Sequence, residues 1–222
     1  MTAGYFTHRD RRTLDAVFRR FRRPVTIHGF FDEGQSATLR NMLQELAVLA
    51  GGHLLYQEIT DDGHPLARVL GVTDRPTLRF YTRDWAWAPV EMVGDPSGYQ
   101  FGVLLGILAS LAGGLGPRIH GRLVSSVRNL NREVILEVLT LPTCPHSPHV
   151  VRITQEFALM NPGRVMARSI SVADYPVSMS LGVEAVPHLR VLSHGQLLAT
   201  YTGILSPEAL WQLIERGIKG GH

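Results

Sequence analysis

The sequence contains an internal repeat, in which one pattern of residues occurs twice. Three pairs of positions keep nearly the same separation: Pro76 and Pro187 are 111 residues apart, Gln57–Ile59 and Arg168–Ile170 also 111, and Gly94 and Gly203 109. Three pairs in the same order indicate a tandem duplication. A chain of 222 residues is long enough for two domains of that size. The glycine-rich segment Gly113–Pro117 is the expected joint, which predicts domains 1–115 and 116–222.

Hydrophobic periodicity predicts an α/β chain with matching elements in its two halves. The predicted helices are Arg9–Arg23, Ser36–Ala50, Pro65–Leu70, Ser97–Leu111, Ile119–Leu130, Pro148–Met160, Val177–Leu181 and a last one capped by Ser206. The predicted strands are Val25–Phe31, Leu54–Ile59, Thr77–Tyr81, Val90–Val93, Val134–Leu139, Val165–Ser171, His188–Leu192 and Leu197–Tyr201. Each half thus follows the order β-α-β-α-β-β-α, which favours a mixed sheet covered by helices.

Charge and cysteine content exclude several classes of protein. Lys and Arg number 22 against 19 Asp and Glu, a net charge of +3 without the basic patch of a nucleic-acid-binding protein. The single cysteine, Cys144, excludes intrachain disulfides and cysteine-rich zinc sites. It favours a reducing compartment, and we expect a cytoplasmic protein. The apolar run Phe101–Leu115 is shorter than the ~18 residues that a membrane span needs, so no membrane association is expected.

Cys144 lies between a predicted buried strand and the start of a helix, in the segment Thr140–His149. Backbone N–H groups and the helix dipole stabilise a thiolate at such a position, and a protonated His146 would add positive charge. The pattern predicts a thiol pKa well below the ~8.5 of a free cysteine. The alternative is that a lone cysteine is a small buried hydrophobic residue.

The second half resembles a thioredoxin or glutaredoxin unit whose Cys-x-x-Cys motif has become Cys144-Pro145-His146-Ser147. The segments Leu141–Pro145 and Gly94–Phe101 are similar to those of protein disulfide oxidoreductases with two fused thioredoxin folds, and of the N-terminal domain of the flavoprotein component of bacterial alkyl hydroperoxide reductase. The resemblance implies two tandem thioredoxin-like folds packed into one body. It implies that Pro187 is a cis-proline facing the cysteine, with Pro76 as its counterpart. The implied substrate-binding residues are Thr143, Pro145, Val186 and Pro187.

The chain departs from this pattern at three places. Ser147 replaces the resolving cysteine, either as the natural residue of a monothiol member or as an engineered Cys→Ser change. The first half has Asp32–Ser36 where doubly active members carry a cysteine pair, which predicts a redox-inactive unit. Tyr99-Gln100 replaces a His-Glu pair, and the supporting residue Gln100 cannot accept a proton at neutral pH.

One thiol limits the chemistry that the chain can perform. Dithiol exchange needs a second thiol to resolve the mixed disulfide, and the hydroxyl of Ser147 cannot do so. We therefore expect a thiol-disulfide oxidoreductase of the monothiol type, with Cys144, His146 and Ser147 as its catalytic residues. Its expected partners are protein thiols and disulfides, with glutathione as a co-substrate. The resemblance suggests a peroxiredoxin and a thioredoxin-reductase-like flavoprotein as partner chains, and a homodimer is compatible with it.

Two other functions compete with this one. A redox-inactive binding or adaptor module would use the Pro76 and Pro187 faces to hold extended segments of partners. A metal or iron–sulfur site would need Cys144, His146, His149 and His188 to converge, and we expect no metal because two histidines near an exposed helix start are more often solvated. No bound cofactor is expected, since no Gly-x-Gly-x-x-Gly follows a strand.

Overall fold

The computed structural model describes residues 4–34, 36–60, 71–82, 86–116, 118–174 and 183–220. Within these ranges the helices are α1 His8–Phe18, α2 Ala37–Leu49, α3 Phe101–Leu111, α4 Arg122–Arg128, α5 Ser147–Met160 and α6 Pro207–Gly220. The strands are β1 Val25–Phe30, β2 Leu54–Ile59, β3 Thr77–Thr82, β4 Trp87–Val93, β5 Val134–Thr140, β6 Val165–Ser171, β7 His188–Ser193 and β8 Gln196–Thr202. The predicted α/β class is confirmed. The predicted helices Pro65–Leu70 and Val177–Leu181 lie outside the described residues.

The contacts divide the chain into two compact units. The first comprises Met1–Trp87 and Leu105–Gly116, and the second comprises Ala88–Leu104 and Pro117–His222. The segment Ala88–Leu104 therefore belongs to the second unit, although its sequence position predicts the first. The reason is strand pairing, because β4 pairs in parallel with β6 between Val90–Val93 and Ala167–Ile170.

In the first unit, β1 pairs in parallel with β2 and antiparallel with β3. Helix α1 begins with a capping box in which Thr7 and Asp10 bond each other's backbone N–H groups. It ends at Phe18, five residues before the predicted Arg23. The N–H of Arg22 donates to the carbonyl of Ala112 at 3.0 Å instead of continuing the helix. The side chain of Phe21 is nevertheless buried, packed edge-on against Phe18.

In the second unit, β5 pairs in parallel with β6 and antiparallel with β7, and β8 pairs antiparallel with β7. Since β4, β5 and β6 are mutually parallel, their carboxyl ends lie at the same edge of the sheet. Cys144 follows the end of β5 by four residues, so this edge carries the site. Helix α5 packs on β5 and β6, and α6 packs on β8. No helix in the described part of the chain is long and apolar enough to cross a membrane.

Four charged side chains cross the sheet of the second unit, and sequence patterns did not single out this network. The registers place them side by side on adjacent strands, in the order Glu91, Arg168, Glu137, Arg190. Arg168 bonds Glu91 at 2.9 Å and Glu137 at 2.8 Å, and Arg190 bonds Glu137 at 2.7 Å. Glu91 and Glu137 are buried. The sequence feature that could have indicated the network is a single charged residue inside an otherwise apolar run, such as Glu137 in β5.

Candidate functional site

Cys144 lies in the loop between β5 and α5, three residues before the first residue of the helix. The loop turns because the N–H of Cys144 donates to the carbonyl of Leu141 at 3.1 Å. The sulfur is a free thiol, partly exposed. It lies 3.7 Å from the carbonyl oxygen of Val186, which is 42 residues away in sequence. The Val186–Pro187 peptide bond is cis. The fold thus brings the thiol against the backbone carbonyl that directly precedes Pro187.

The start of α5 sets the acidity of this thiol. Burial raises the pKa of Cys144, but hydrogen bonds from the Ser147 hydroxyl and from the backbone N–H groups of His146 and Ser147 lower it by more. The pKa of Cys144 is therefore below its ordinary value, in the direction expected for a cysteine at a helix N-terminus. His146 is exposed at the N-cap and makes no side-chain cap bond. It acts on the sulfur through its backbone N–H rather than through its ring.

Ser147 is the first residue of α5, and its side chain is fully buried. Among the described residues, its hydroxyl has no hydrogen-bond partner. A thiolate is a much stronger acceptor than a thiol, and the Ser147 hydroxyl is the first of the groups that lower the pKa of Cys144. The Ser147 hydroxyl thus favours the thiolate form of Cys144 over the thiol.

Replacing Ser147 is expected to weaken the acidity of Cys144. In Ser147→Ala the thiolate loses the largest of the contributions that lower its pKa, so the pKa of Cys144 rises. The pH profile of alkylation by iodoacetamide should move to higher pH. Ser171→Ala is the matched control, since Ser171 is also a buried serine without a hydroxyl partner in the described residues. An unchanged profile in Ser147→Ala would show that the hydroxyl does not reach the thiolate.

The supporting residue Gln100 lies on the 3₁₀ turn Gly98–Gln100, and this turn contacts both the cysteine loop and α5. The N–H of Tyr99 donates to the carbonyl of Pro142 at 3.0 Å. Gly98 has φ +59°, and a Cβ there would lie 2.4 Å from that same carbonyl oxygen, so only glycine fits. Gln100 is only 2% exposed, and its amide atoms have no hydrogen-bond partner in the described ranges.

The residues predicted to line the sulfur are divided between surface and core. Thr143, Pro145 and His146 are exposed, Val186 is half-buried, and Pro187 is buried. In the first unit, Pro76 is buried and follows Arg75 through a cis peptide bond. Arg75 contacts the carboxylate of Asp32 at 3.5 Å. The segment of the first unit that corresponds to the cysteine loop therefore carries an ion pair and no thiol.

The histidines considered as metal ligands bond to other groups. The Nε2 atom of His149 lies 3.2 Å from the carbonyl oxygen of Leu205, and the Nδ1 atom of His188 lies 2.7 Å from the hydroxyl of Thr202. Burial and the charge of Arg190 lower the pKa of His188. Across the described ranges, no group of three His, Cys, Asp or Glu residues is placed to hold a metal ion. The described geometry therefore gives the metal hypothesis no support.

Comparisons with solved structures give the fold of the whole chain. The alkyl hydroperoxide reductase AhpF of Enterococcus faecalis superposes with a TM-score of 0.84 at 20% identity, covering 95% of this chain and 99% of that one. A protein disulfide oxidoreductase from Aeropyrum pernix superposes with a TM-score of 0.82 at 18% identity, covering 96% and 94%. Both likenesses extend over the two halves of the sequence. They show the thioredoxin-like fold that the motifs suggested.

Sequence comparison identifies the family. No protein-family model matches the chain. The thioredoxin of Methanocaldococcus jannaschii is 32% identical over 85 residues, which are 38% of this chain and 95% of that protein. The match therefore takes in nearly all of a complete thioredoxin. The fold agrees with this match, because it places the cysteine at the start of a helix beside a cis-proline. The match to this relative shows that the chain belongs to the thioredoxin family.

Proposed function

We propose that this chain is a thiol-disulfide oxidoreductase of the monothiol type, whose Cys144 thiolate forms mixed disulfides with a partner protein or with glutathione. The observation that carries the proposal is the position of the sulfur. It is partly exposed, lies at the start of α5 with a lowered pKa, and is 3.7 Å from the Val186 carbonyl. A thiolate held in this way is both reactive and accessible to a second sulfur.

The proposed reaction is an exchange that leaves the total number of disulfides unchanged. The thiolate of Cys144 attacks one sulfur of a partner disulfide, the partner's S–S bond breaks, and the second sulfur leaves as a thiolate that takes up a proton. An external thiol such as glutathione then attacks the other sulfur of the mixed disulfide, forms a new disulfide with it and releases Cys144 as a thiolate. Ser147 donates its hydrogen bond to that thiolate at both stages and forms no bond to sulfur.

The proposed partner is a protein disulfide supplied by a separate chain. The likeness to an alkyl hydroperoxide reductase supports a peroxiredoxin as the protein that exchanges with Cys144, and a flavoprotein reductase as the source of electrons. Glutathione is the proposed co-substrate, because Cys144 is the only cysteine in the sequence and release requires a thiol from outside. Such a cycle requires a reducing compartment, for which we propose the cytoplasm.

The pH dependence of alkylation at Cys144 tests the proposal. Iodoacetamide modification of the full chain, followed by mass spectrometry, is expected to have its midpoint below the ~8.5 of a free thiol, because the thiolate reacts and its pKa is lowered. Incubation with oxidised glutathione should add one glutathionyl group, which reduced glutathione removes. Cys144→Ala is the control that should take up neither reagent.

The alternative is a redox-inactive binding module, and the presence of Ser147 where a resolving thiol would stand favours it. The same alkylation experiment separates the two functions. A thiol that reacts only after denaturation is inert in the folded protein. That result would contradict the oxidoreductase proposal and leave binding of extended segments beside Pro187 as the function to pursue.

A further inference from the structure

One exposed aromatic ring is attached directly to the cysteine loop. Tyr99 is 55% exposed, which is unusual for a residue whose neighbour Gln100 is almost completely buried. Its N–H donates to the carbonyl of Pro142 at 3.0 Å, and Pro142 is two residues before Cys144. The ring is therefore exposed to solvent on a residue whose backbone is bonded to the cysteine loop.

The backbone that carries this ring is rigid. Gly98 packs so closely on the carbonyl of Pro142 that a Cβ would lie 2.4 Å from it, and its φ of +59° suits glycine alone. Gln100 anchors the other side of Tyr99 in the interior, and α3 begins at the next residue. An aromatic side chain on a backbone that is held in place loses little conformational entropy on binding. This is one reason why tyrosines are frequent at binding surfaces.

The two residues that flank Cys144 in sequence bear no formal charge. Thr143 and Pro145, on either side of Cys144, are exposed, and neither has an ionisable group. Removing water from a tyrosine ring, a proline and a threonine costs little free energy, because none of them carries a charge. It suits an uncharged side chain better than a charged one, because nothing in these three residues would replace the lost hydration of a charge.

On this basis we propose that Tyr99 is a specificity-determining residue, which binds an apolar or aromatic side chain close to the partner's reactive disulfide. The inference rests on the proposed function, since it concerns the partner that exchanges with Cys144. Tyr99 takes no part in the bond changes. It raises the rate of exchange by holding the partner's segment beside the sulfur, an effect that small disulfides without such a side chain do not share.

The test uses short peptides of the form Gly-X-Gly-Cys-Gly-Gly, whose cysteine carries thionitrobenzoate, with X as Phe, Gly or Lys. Attack by Cys144 on the peptide sulfur releases the coloured thiolate and gives a rate constant. We expect the Phe peptide to react roughly 2- to 10-fold faster than the Gly peptide, the range of one aromatic pair. Tyr99→Ala should abolish this preference, and Tyr99→Phe should keep it.

Two controls isolate the effect of the ring. Leu197→Ala removes an apolar side chain of similar exposure, 52%, and should keep the preference. Leu197 lies near the start of β8, whereas Gly203, which bonds Pro187, follows the end of that strand. The symmetric reagent dithiobis(nitrobenzoate) measures the reactivity of Cys144 in each variant, and the rate constants of the peptides are compared after division by this rate.

The outcomes separate this inference from the function on which it rests. If the native chain fails to react even with dithiobis(nitrobenzoate), the proposed function is wrong. If it reacts with every probe but the Phe and Gly peptides are equal, or if Tyr99→Ala keeps the preference, only the assignment of Tyr99 is wrong. A Lys peptide that reacts faster than the Phe peptide would overturn the apolar specificity in favour of a cation over the ring.

Discussion

A Ser147→Cys variant is expected to complete disulfide exchange without an external thiol, unlike the proposed monothiol reaction of the native chain. Ser147 is the first residue of α5, three residues after Cys144, and its hydroxyl lowers the pKa of that thiol. A thiol at this position can attack the Cys144 sulfur of a mixed disulfide, form an intrachain disulfide and release the partner as a thiol. Reduction of insulin disulfides by dithiothreitol should be accelerated on the order of tenfold or more over the native chain.

The matched variants distinguish resolution from a general change in reactivity. Ser147→Ala removes the hydroxyl without adding a thiol, and it should show no acceleration. The double variant Cys144→Ala with Ser147→Cys keeps the added thiol but lacks the attacking one, so it should also stay at background. If Ser147→Cys accumulates a stable mixed disulfide with its partner, the new thiol does not reach the Cys144 sulfur, and the monothiol limit has another cause.

The second large effect is expected from the buried charge network. Glu137 bonds both Arg168 and Arg190, and its side chain is 9% exposed. Glu137→Ala leaves the two guanidinium groups without this carboxylate in a partly desolvated layer, and removing one partner from a buried ion pair costs about 3–5 kcal/mol. We expect the free energy of unfolding to fall by about this amount, measured by urea denaturation and far-ultraviolet circular dichroism.

Glu133→Ala is the matched control, because Glu133 pairs with Arg164 at 3.2 Å but its side chain is 60% exposed. An exposed pair of this kind contributes about 0–1 kcal/mol, so this variant should unfold close to the native chain. Glu137→Gln, which keeps the shape and loses the charge, should fall between the two. Equal costs for Glu137→Ala and Glu133→Ala would show that the network contributes no more to stability than a surface pair.

Local sequence patterns predicted most of the elements of this fold. The strand Leu54–Ile59 was predicted at its observed bounds, and Val165–Ser171 likewise, because alternation and turn residues act over a few positions. The prediction for α1 failed at its end. Phe21 continues the apolar spacing of the helix, but its side chain is buried from a turn, and the N–H of Arg22 bonds outside the helix. Hydrophobic periodicity indicates which residues are buried, but it does not show whether the backbone at those residues is a helix or a turn.

The sequence predicted the position of the nucleophile in the candidate site, but not the contacts of the residues around it. The junction of β5 and α5 placed Cys144 at a helix start from local pattern alone, and the family motif supplied Pro187. Local patterns did not predict the surroundings of three features. Ser147 is fully buried, Tyr99 is bonded to Pro142, and the four charges of the network meet across adjacent strands. Each depends on partners that are distant in sequence.

The sequence by itself predicted the duplication and determined the order of the elements and the limit of one thiol, because spacing, periodicity and residue type are properties of the chain before it folds. The tertiary structure alone decided that Ala88–Leu104 belongs to the second unit and that the Val186 carbonyl lies against the Cys144 sulfur. It also decided that Glu137 lies between two arginines. These contacts follow from the register and direction of paired strands, since one residue of slip would turn every side chain to the opposite face of the sheet.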